Sequence, residues 1–298
     1  MSPLLERPYP LLIAATVGWA ATAVVGRMAV GSVSPMAIVT LRLLIALVAL
    51  ALFAPGAMRR AAREVAPHWR YVLAMGALGY TLFSVFFYWA AHHTSAVNMG
   101  VIQGVSPALI LLGGLVVFGT RFSTGQAIGV LVTLVGVAVV ASRGSPDVLR
   151  SFAFNIGDLA ILASAILYSG YTLALRDRPR IAPLALFAGM TFAAFLVSLP
   201  LLSIELAFGA TVWPHDAYGW ALVLFIGLVP SLLAQVFYMR GVALIGPGRA
   251  GLFLNLMPIL AALLGVVVLG EAFEAYHAVG LALVLGGIWL AERRRIDA

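Results

Sequence analysis

Residues 251–271, GLFLNLMPILAALLGVVVLGE, form an apolar run with one proline inside it, and residues 100–120, GVIQGVSPALILLGGLVVFGT, show the same pattern 151 positions earlier. Proline lacks a backbone donor and clashes with the carbonyl four residues before it, so a buried helix carries one at its middle only at a cost. Aligned without gaps at this offset, residues 100–136 match residues 251–287 at thirteen of 37 positions. The matches include Gly100 with Gly251, Gly114 with Gly265, Gly119 with Gly270, Gly129 with Gly280 and Gly136 with Gly287, besides Pro107 with Pro258 and Phe122 with Phe273. The halves also begin alike: TVGWAATAVVGR (16–27) resembles ASAILYSGYTLALR (163–176), which sets Trp19 against Tyr168 and Arg27 against Arg176, and Pro35 and Pro183 open the next apolar run of each. The chain reads as a duplication, with residues 1–150 and 151–298 as the two copies.

Of the 298 residues, 63% are hydrophobic and only 10% charged, and the mean hydropathy is +1.07. Soluble domains carry about a quarter charged residues, so this composition describes an integral membrane protein. The net charge of +7 comes from 18 arginines and no lysine against 11 acidic residues. Those arginines lie between the apolar runs, which favours a role in membrane topology over nucleic-acid binding. The absence of cysteine excludes disulfides, thiol catalysis and cysteine metal sites. No cleaved signal peptide is expected, because the first apolar run is followed by many others.

A bilayer core of roughly 30 Å needs about 20 apolar residues per helix. Ten such runs are present, near residues 9–27, 35–54, 71–91, 97–118, 125–142, 156–175, 183–204, 217–238, 250–269 and 275–291. The short loops then fix orientation through their arginines. With the N-terminus inside, one face holds Arg7, Arg59, Arg60, Arg63, Arg70, Arg121, Arg176, Arg178, Arg180, Arg240, Arg249, Arg293, Arg294 and Arg295, fourteen in all, and the other holds three, Arg27, Arg143 and Arg150. Both termini are expected to be cytoplasmic.

Five runs per copy is an odd number, so the second copy enters the membrane from the opposite side. Inverted repeats of this kind are a recurring transporter architecture, with substrate held near the midplane between the halves. The expected fold is all-α and integral to the membrane, with ten transmembrane helices in two inverted five-helix repeats around a central cavity. Ten spans in two such halves, Trp19 in the first run, Arg42 in the second and the paired prolines resemble the drug/metabolite transporter superfamily in its EamA-domain branch. Within it, the chain is most similar to the YddG-type exporters of aromatic and other amino acids. The resemblance implies helices around a cavity opened alternately to each side, with the fifth and tenth helices apart from the cavity and associated with homodimer contacts. In the second copy Met190 falls opposite Arg42, so the halves are not equivalent.

Arg42 is the one charged side chain placed inside the hydrocarbon region. An arginine at that depth either snorkels or bonds backbone carbonyls, or it meets a substrate carboxylate. In the third run Tyr80, Ser84, Phe87 and Tyr88 recur three to four residues apart, on one helical face. The eighth run contributes Ser231, Gln235 and Tyr238 after Pro230, and a glutamine in hydrocarbon must bond a neighbouring helix or a ligand. Trp19 and Thr22 in the first run, Gln103 and Ser106 in the fourth, Tyr168 and Tyr171 in the sixth and Asn255 in the ninth complete a set of aromatic faces and neutral hydrogen-bonding groups. Such a set suits a modest amphipathic metabolite. The expected substrate-binding residues are Trp19, Thr22, Arg42, Tyr80, Ser84, Tyr88, Gln103, Tyr168, Tyr171, Gln235 and Asn255. Pro107 and Pro258 are expected to bend their helices near the midplane as paired hinges, freeing the carbonyls of Gln103 and Leu254.

Asp158 reads as a charge favourable to a helix N-terminus, and Glu271 and Glu274 as outward-loop residues, so no acid is placed as a midplane proton carrier. GPGRAG (246–251) matches the letters of a dinucleotide motif without the strand it requires, and reads instead as a tight turn. Adjacent His92 and His93 are a poor chelate. No catalytic residue, metal or cofactor is expected.

The expected function is secondary export of amino acids, aromatic ones among them, or related small metabolites across the cytoplasmic membrane by alternating access. Drugs, nucleosides or sugars stay open as alternative cargo. A channel requires a repeated filter, and an intramembrane enzyme requires a catalytic cluster at depth. The expected partners are the lipid bilayer and a small-molecule substrate, without nucleic acid.

Overall fold

The computed structural model describes residues 6–119, 123–145, 147–148 and 154–293. Thr120, Arg121, Phe122, Arg150, Arg294 and Arg295 of the repeat and the arginine tally lie outside the described residues. Within them all regular structure is helical. Among the described residues nine helices are long and apolar enough to cross a membrane: span 1 Pro8–Met28, span 2 Pro35–Phe53, span 3 Ala66–Ala90, span 4 Ala96–Phe118, span 5 Thr124–Ala141, span 6 Ile156–Asp177, span 7 Pro183–Ala207, span 8 Ala217–Ile245 and span 9 Arg249–Leu269. A shorter apolar stretch, Ala275–Ala291, makes up most of the last helix, Ala275–Arg293.

Helix starts follow local chemistry. Spans 1, 2 and 7 begin on a proline, whose missing N–H lies among donors that are unpaired there anyway. Spans 4, 5, 6 and 8 begin on Ser95, Ser123, Asn155 and Asp216, whose side chains accept from backbone N–H groups of the first turn. Between spans 2 and 3, where the sequence suggested only a loop, lies a short helix, Pro55–Glu64, with Arg59, Arg60 and Arg63 exposed and Ala61 buried.

The packing pattern is unchanged when the two halves of the chain are exchanged. Span 1 packs on spans 8 and 9 as span 6 packs on spans 3 and 4; span 2 meets span 8 as span 7 meets span 3; spans 2 and 7, 4 and 9, and 5 and the last helix pair directly. The glycines matched in the internal alignment explain the last of these pairs. A Cβ on Gly129 would lie 2.5 Å from the carbonyl oxygen of Gly287, and one on Gly136 would lie 2.8 Å from that of Gly280. The two helices therefore touch backbone to backbone, as small residues allow in membranes. Outward-facing residues are apolar at equivalent places, with Val116 82% and Val267 71% exposed, as lipid-facing surfaces are.

Four interruptions break this regularity, two in each half. Spans 3 and 8 each contain a π-helical segment, Ala77–Leu82 and Val229–Leu233. Spans 4 and 9 are interrupted just before their prolines: helix Ala96–Gln103 stops and helix Ser106–Phe118 restarts, and a 3₁₀ segment Leu252–Leu256 precedes helix Met257–Leu269. Pro107 and Pro258 thus stand in the first turn of a new helical segment rather than inside a bent continuous one. The carbonyl of Gln103 accepts from the Ser106 hydroxyl at 2.9 Å, and that of Leu254 from the N–H of Met257.

Candidate substrate site around Arg42

Arg42 lies on span 2 where the π segments of spans 3 and 8 converge. Its Nη2 donates to the carbonyl of Tyr80 at 2.8 Å and to the hydroxyl of Ser84, and its Nη1 donates to the hydroxyl of Ser231 at 2.9 Å. Ser231 in turn donates to the carbonyl of Ile226, five residues earlier, at 2.7 Å. A π turn displaces the regular backbone ladder and leaves carbonyls free to bond elsewhere; Tyr80 spends its carbonyl on Arg42, and Pro230 spends its own on the indole N–H of Trp19 at 3.0 Å. One bond thus ties a helix of the first half to the π segment of each half.

The electrostatics of Arg42 are unbalanced. Its three acceptors among the described residues are neutral, and its Nε is enclosed without a partner. A guanidinium withdrawn from water among neutral groups gains from any carboxylate that reaches it. The side chain as a whole is half-buried.

Aromatic rings line the neighbourhood. Tyr80 and Tyr171 lie 5.6 Å apart between centroids with their hydroxyls 3.4 Å apart, Tyr168 is 5.8 Å from Tyr171, and Phe83 is 5.3 Å from Tyr168. Gly79, inside the π segment of span 3, makes this wall possible, because a Cβ there would lie 2.3 Å from the Tyr171 ring. A second aromatic pair, Trp19 and Tyr238 at 5.2 Å, stands on the span 8 side.

Of the expected substrate residues, the structure joins Arg42, Tyr80, Ser84, Tyr168 and Tyr171 into one cluster, and Trp19 reaches it through Pro230. Tyr88 is 3% exposed, packs against Gly26 of span 1 and lies near enough to Arg42 to feel its charge. Thr22 and Gln235 are half-buried. Gln103 ends the first segment of span 4 with its Oε1 buried and unpartnered, and Asn255 lies in the 3₁₀ segment before Pro258. Sequence reasoning passed over Phe83, and it had no signal for the π segments beyond Pro230.

Three other expectations resolve at the loops. The GPGRAG turn opens on Gly246 at φ 84° and continues as helix Pro247–Gly251 into span 9. His93 lies against Trp89 at 4.3 Å, and burial, with His93 and Arg27 adding to it and Glu205 opposing, pushes the pKa of His92 below the ordinary imidazole value. Glu271 is no free loop residue: its two carboxylate oxygens accept from the N–H groups of Ala96 and Val97 at 2.8 and 2.9 Å, holding the start of span 4. Two surface pockets of about 450 Å3 lie elsewhere, among Arg178–Pro183 with Leu186 and among Pro67–Tyr71, and none of the candidate residues lines them.

A solved crystal structure superposes with a TM-score of 0.64 over 98% of this chain and 99% of that one at 24% identity, which shows the shared fold. The probable terminal-alkyne amino-acid exporter of Streptantibioticus cattleyicolor is 28% identical over 262 residues, 86% of this chain and 83% of that protein. The aromatic amino acid exporter YddG of Ancylobacter novellus is 26% identical over 230 residues, 77% of each, and the uncharacterized transporter YetK of Bacillus subtilis is 28% identical over 233 residues, 76% of this chain and 69% of that one. The EamA-like transporter family matches residues 7–142 and again residues 155–292. With two such matches spanning a helical bundle of membrane-crossing length, the chain belongs to the EamA-like transporter family.

Proposed function

We propose that this transporter exports amino acids, aromatic ones among them, or closely related small metabolites across the cytoplasmic membrane by alternating access. The observation that carries this reading is Arg42, a cation between helices whose acceptors among the described residues are all neutral and whose Nε is unpartnered. A substrate carboxylate completes that hydrogen-bond set, and the rings of Tyr80, Tyr168, Tyr171 and Phe83 offer an apolar side chain a surface beside it. The names of two relatives, an amino-acid exporter and an aromatic amino acid exporter, support the same cargo. The packing symmetry supports two inverted repeats, residues 1–150 and 151–298, that rock about the site with both termini cytoplasmic, Pro107 and Pro258 serving as hinges. Trp19, Thr22, Gln103, Gln235 and Asn255 contribute polar groups to the same space, and a homodimer brings the span 5 and last-helix pair of two copies together.

The test is uptake of labelled phenylalanine, tryptophan, alanine and the carboxylate-free amine of phenylalanine into liposomes containing purified protein. Saturable uptake of the amino acids is expected. Arg42→Leu lowers it about tenfold to hundredfold, the value of a charge-assisted hydrogen bond, while leaving any uptake of the amine unaffected. Equal amino-acid uptake by the variant and the parent protein rules out the carboxylate role of Arg42.

A further inference from the structure

Asp158 stands in the first turn of span 6 and is only 2% exposed. Its Oδ1 accepts from the Thr94 hydroxyl at 2.5 Å, and both oxygens accept from the Asn98 amide at 3.2 and 3.3 Å. Asn98 closes the set on its other side, where its Oδ1 lies 2.9 Å from Nε2 of His277 on the last helix. Because Nδ1 of His277 accepts from the N–H of Glu274 at 3.0 Å, its proton sits on Nε2 and is donated to Asn98. Thr94, Asn98 and His277 are themselves 7%, 5% and 3% exposed. The network therefore fixes one buried carboxylate, through neutral partners only, between the loop and span 4 of the first half and span 6 and the last helix of the second.

Other bonds join the halves at the same end. The Asn155 amide donates to the carbonyl of His93 at 2.9 Å, Glu205 of span 7 accepts from Ser34 and from the N–H of Met36 at the start of span 2, and Glu271 holds Ala96 and Val97. With both termini cytoplasmic, as proposed above, this end is the outer one, and these bonds between the halves hold it together. Burial away from water favours the neutral form of such a carboxylate, while the hydrogen bonds from Thr94 and Asn98 and the charge of Arg143 favour the ionised one, so the network and the proton compete for it. Protonation also removes acceptor capacity at the point where Thr94 and Asn98 both bind.

We propose that Asp158 is the proton-binding site of this transporter's outer gate: taking up a proton, its carboxyl releases Thr94 and Asn98 and lets the outer end open. The proton adds to one carboxylate oxygen from outer water, and no bond other than the new O–H forms or breaks covalently. The titratable and charged groups that face Asp158 or its network are Arg143 at the end of span 5, His93 on the span 3–4 loop with His92 beside it, Tyr276 and His277 on the last helix, and Glu271 and Glu274 near His277. This inference deepens the exporter reading and rests on it for direction, but its test contains no substrate.

The chain has no cysteine, so Ser32→Cys with Ala272→Cys places two nitroxide labels at the outer end, one in each half, on otherwise unaltered protein in nanodiscs. Their distance distribution is measured from neutral to acid pH. A longer-distance population is expected to grow as pH falls, its ratio to the short one changing about tenfold per pH unit as one proton requires. Asp158→Asn, which mimics the protonated acid, is expected to show the long population at every pH. Thr94→Val, which removes one donor to the carboxylate, moves the midpoint to higher pH, and His277→Gln retains the response. A distribution that does not change with pH in the parent protein, or that still titrates in Asp158→Asn, overturns the proposal. Loss of the response in His277→Gln with retention in Asp158→Asn overturns it in favour of the histidine. Failure of amino-acid uptake with a preserved distance response refutes the substrate reading alone.

Discussion

Arg42 shows how much of a site one residue can announce. An arginine within an otherwise apolar run is conspicuous because desolvating it is costly, yet its partners come from positions 38, 42 and 189 residues away and leave no mark on the local sequence. Tyr80 was visible as part of a polar stripe, but its carbonyl, rather than its hydroxyl, meets the guanidinium. Gly79 is the less visible member of the set. A methyl group there collides with the Tyr171 ring at 2.3 Å. Gly79→Ala is therefore expected to destabilise the protein by about 1–3 kcal/mol, the usual cost of overpacking, and to weaken uptake through displacement of Tyr171. Thermal unfolding in detergent, with uptake measured alongside, checks this, and an unchanged melting temperature refutes the contact.

At the scale of elements, the internal alignment foretold that the same glycines recur but not why. The reason is a helix pair. Gly129 faces Gly287 and Gly136 faces Gly280, so residues matched along the sequence end up crossed in space between span 5 and the last helix. Two adjacent glycines of the last helix separate packing from composition. A Cβ on Gly287 would meet the Thr133 hydroxyl at 2.3 Å and the Gly129 carbonyl at 2.5 Å, whereas one on Gly286 meets nothing within 4 Å. Gly287→Ala is expected to cost about 3 kcal/mol, because backbone cannot move aside. Gly286→Ala is expected to be neutral or to stabilise by up to about 1 kcal/mol through helix propensity. Similar melting temperatures for the two variants refute backbone contact between these helices. The π segments belong to this scale too: residues 77–82 and 229–233 occupy equivalent places in the two halves, and periodicity gave no hint of either.

For the whole molecule, the distribution of bonds between halves gives the state a direction. The end bearing Asp158, Glu205 and Glu271 is tied by carboxylates, while at the opposite end the Tyr71 hydroxyl bonds the Ala174 carbonyl and Tyr9 lies 6.0 Å from Phe253. If the tied end opens by movement of spans 4 and 9 relative to their neighbours, the breaks before Pro107 and Pro258 are where the proposed hinges lie. If these prolines act as hinges, Pro107→Ala with Pro258→Ala joins the segments into stiffer helices. The expected result is a severalfold lower maximal uptake rate with an unchanged half-saturation concentration, read in liposomes. A change in half-saturation without a change in maximal rate assigns the prolines to binding instead.

The sequence alone determined that the chain crosses a membrane, where its long apolar stretches lie, that it is duplicated, and that Arg42, the aromatic stripes and two prolines stand within those stretches. Those properties follow from hydropathy, spacing and self-similarity, which are carried by neighbouring residues. Only the tertiary structure decided that Arg42 meets two π segments, that the prolines begin helices instead of bending them, and that Asp158 is buried beneath Thr94 and Asn98. The physical reason is that each of these is a bond between helices far apart in the chain, and backbone groups released by an irregular turn carry no residue type for a sequence to reveal.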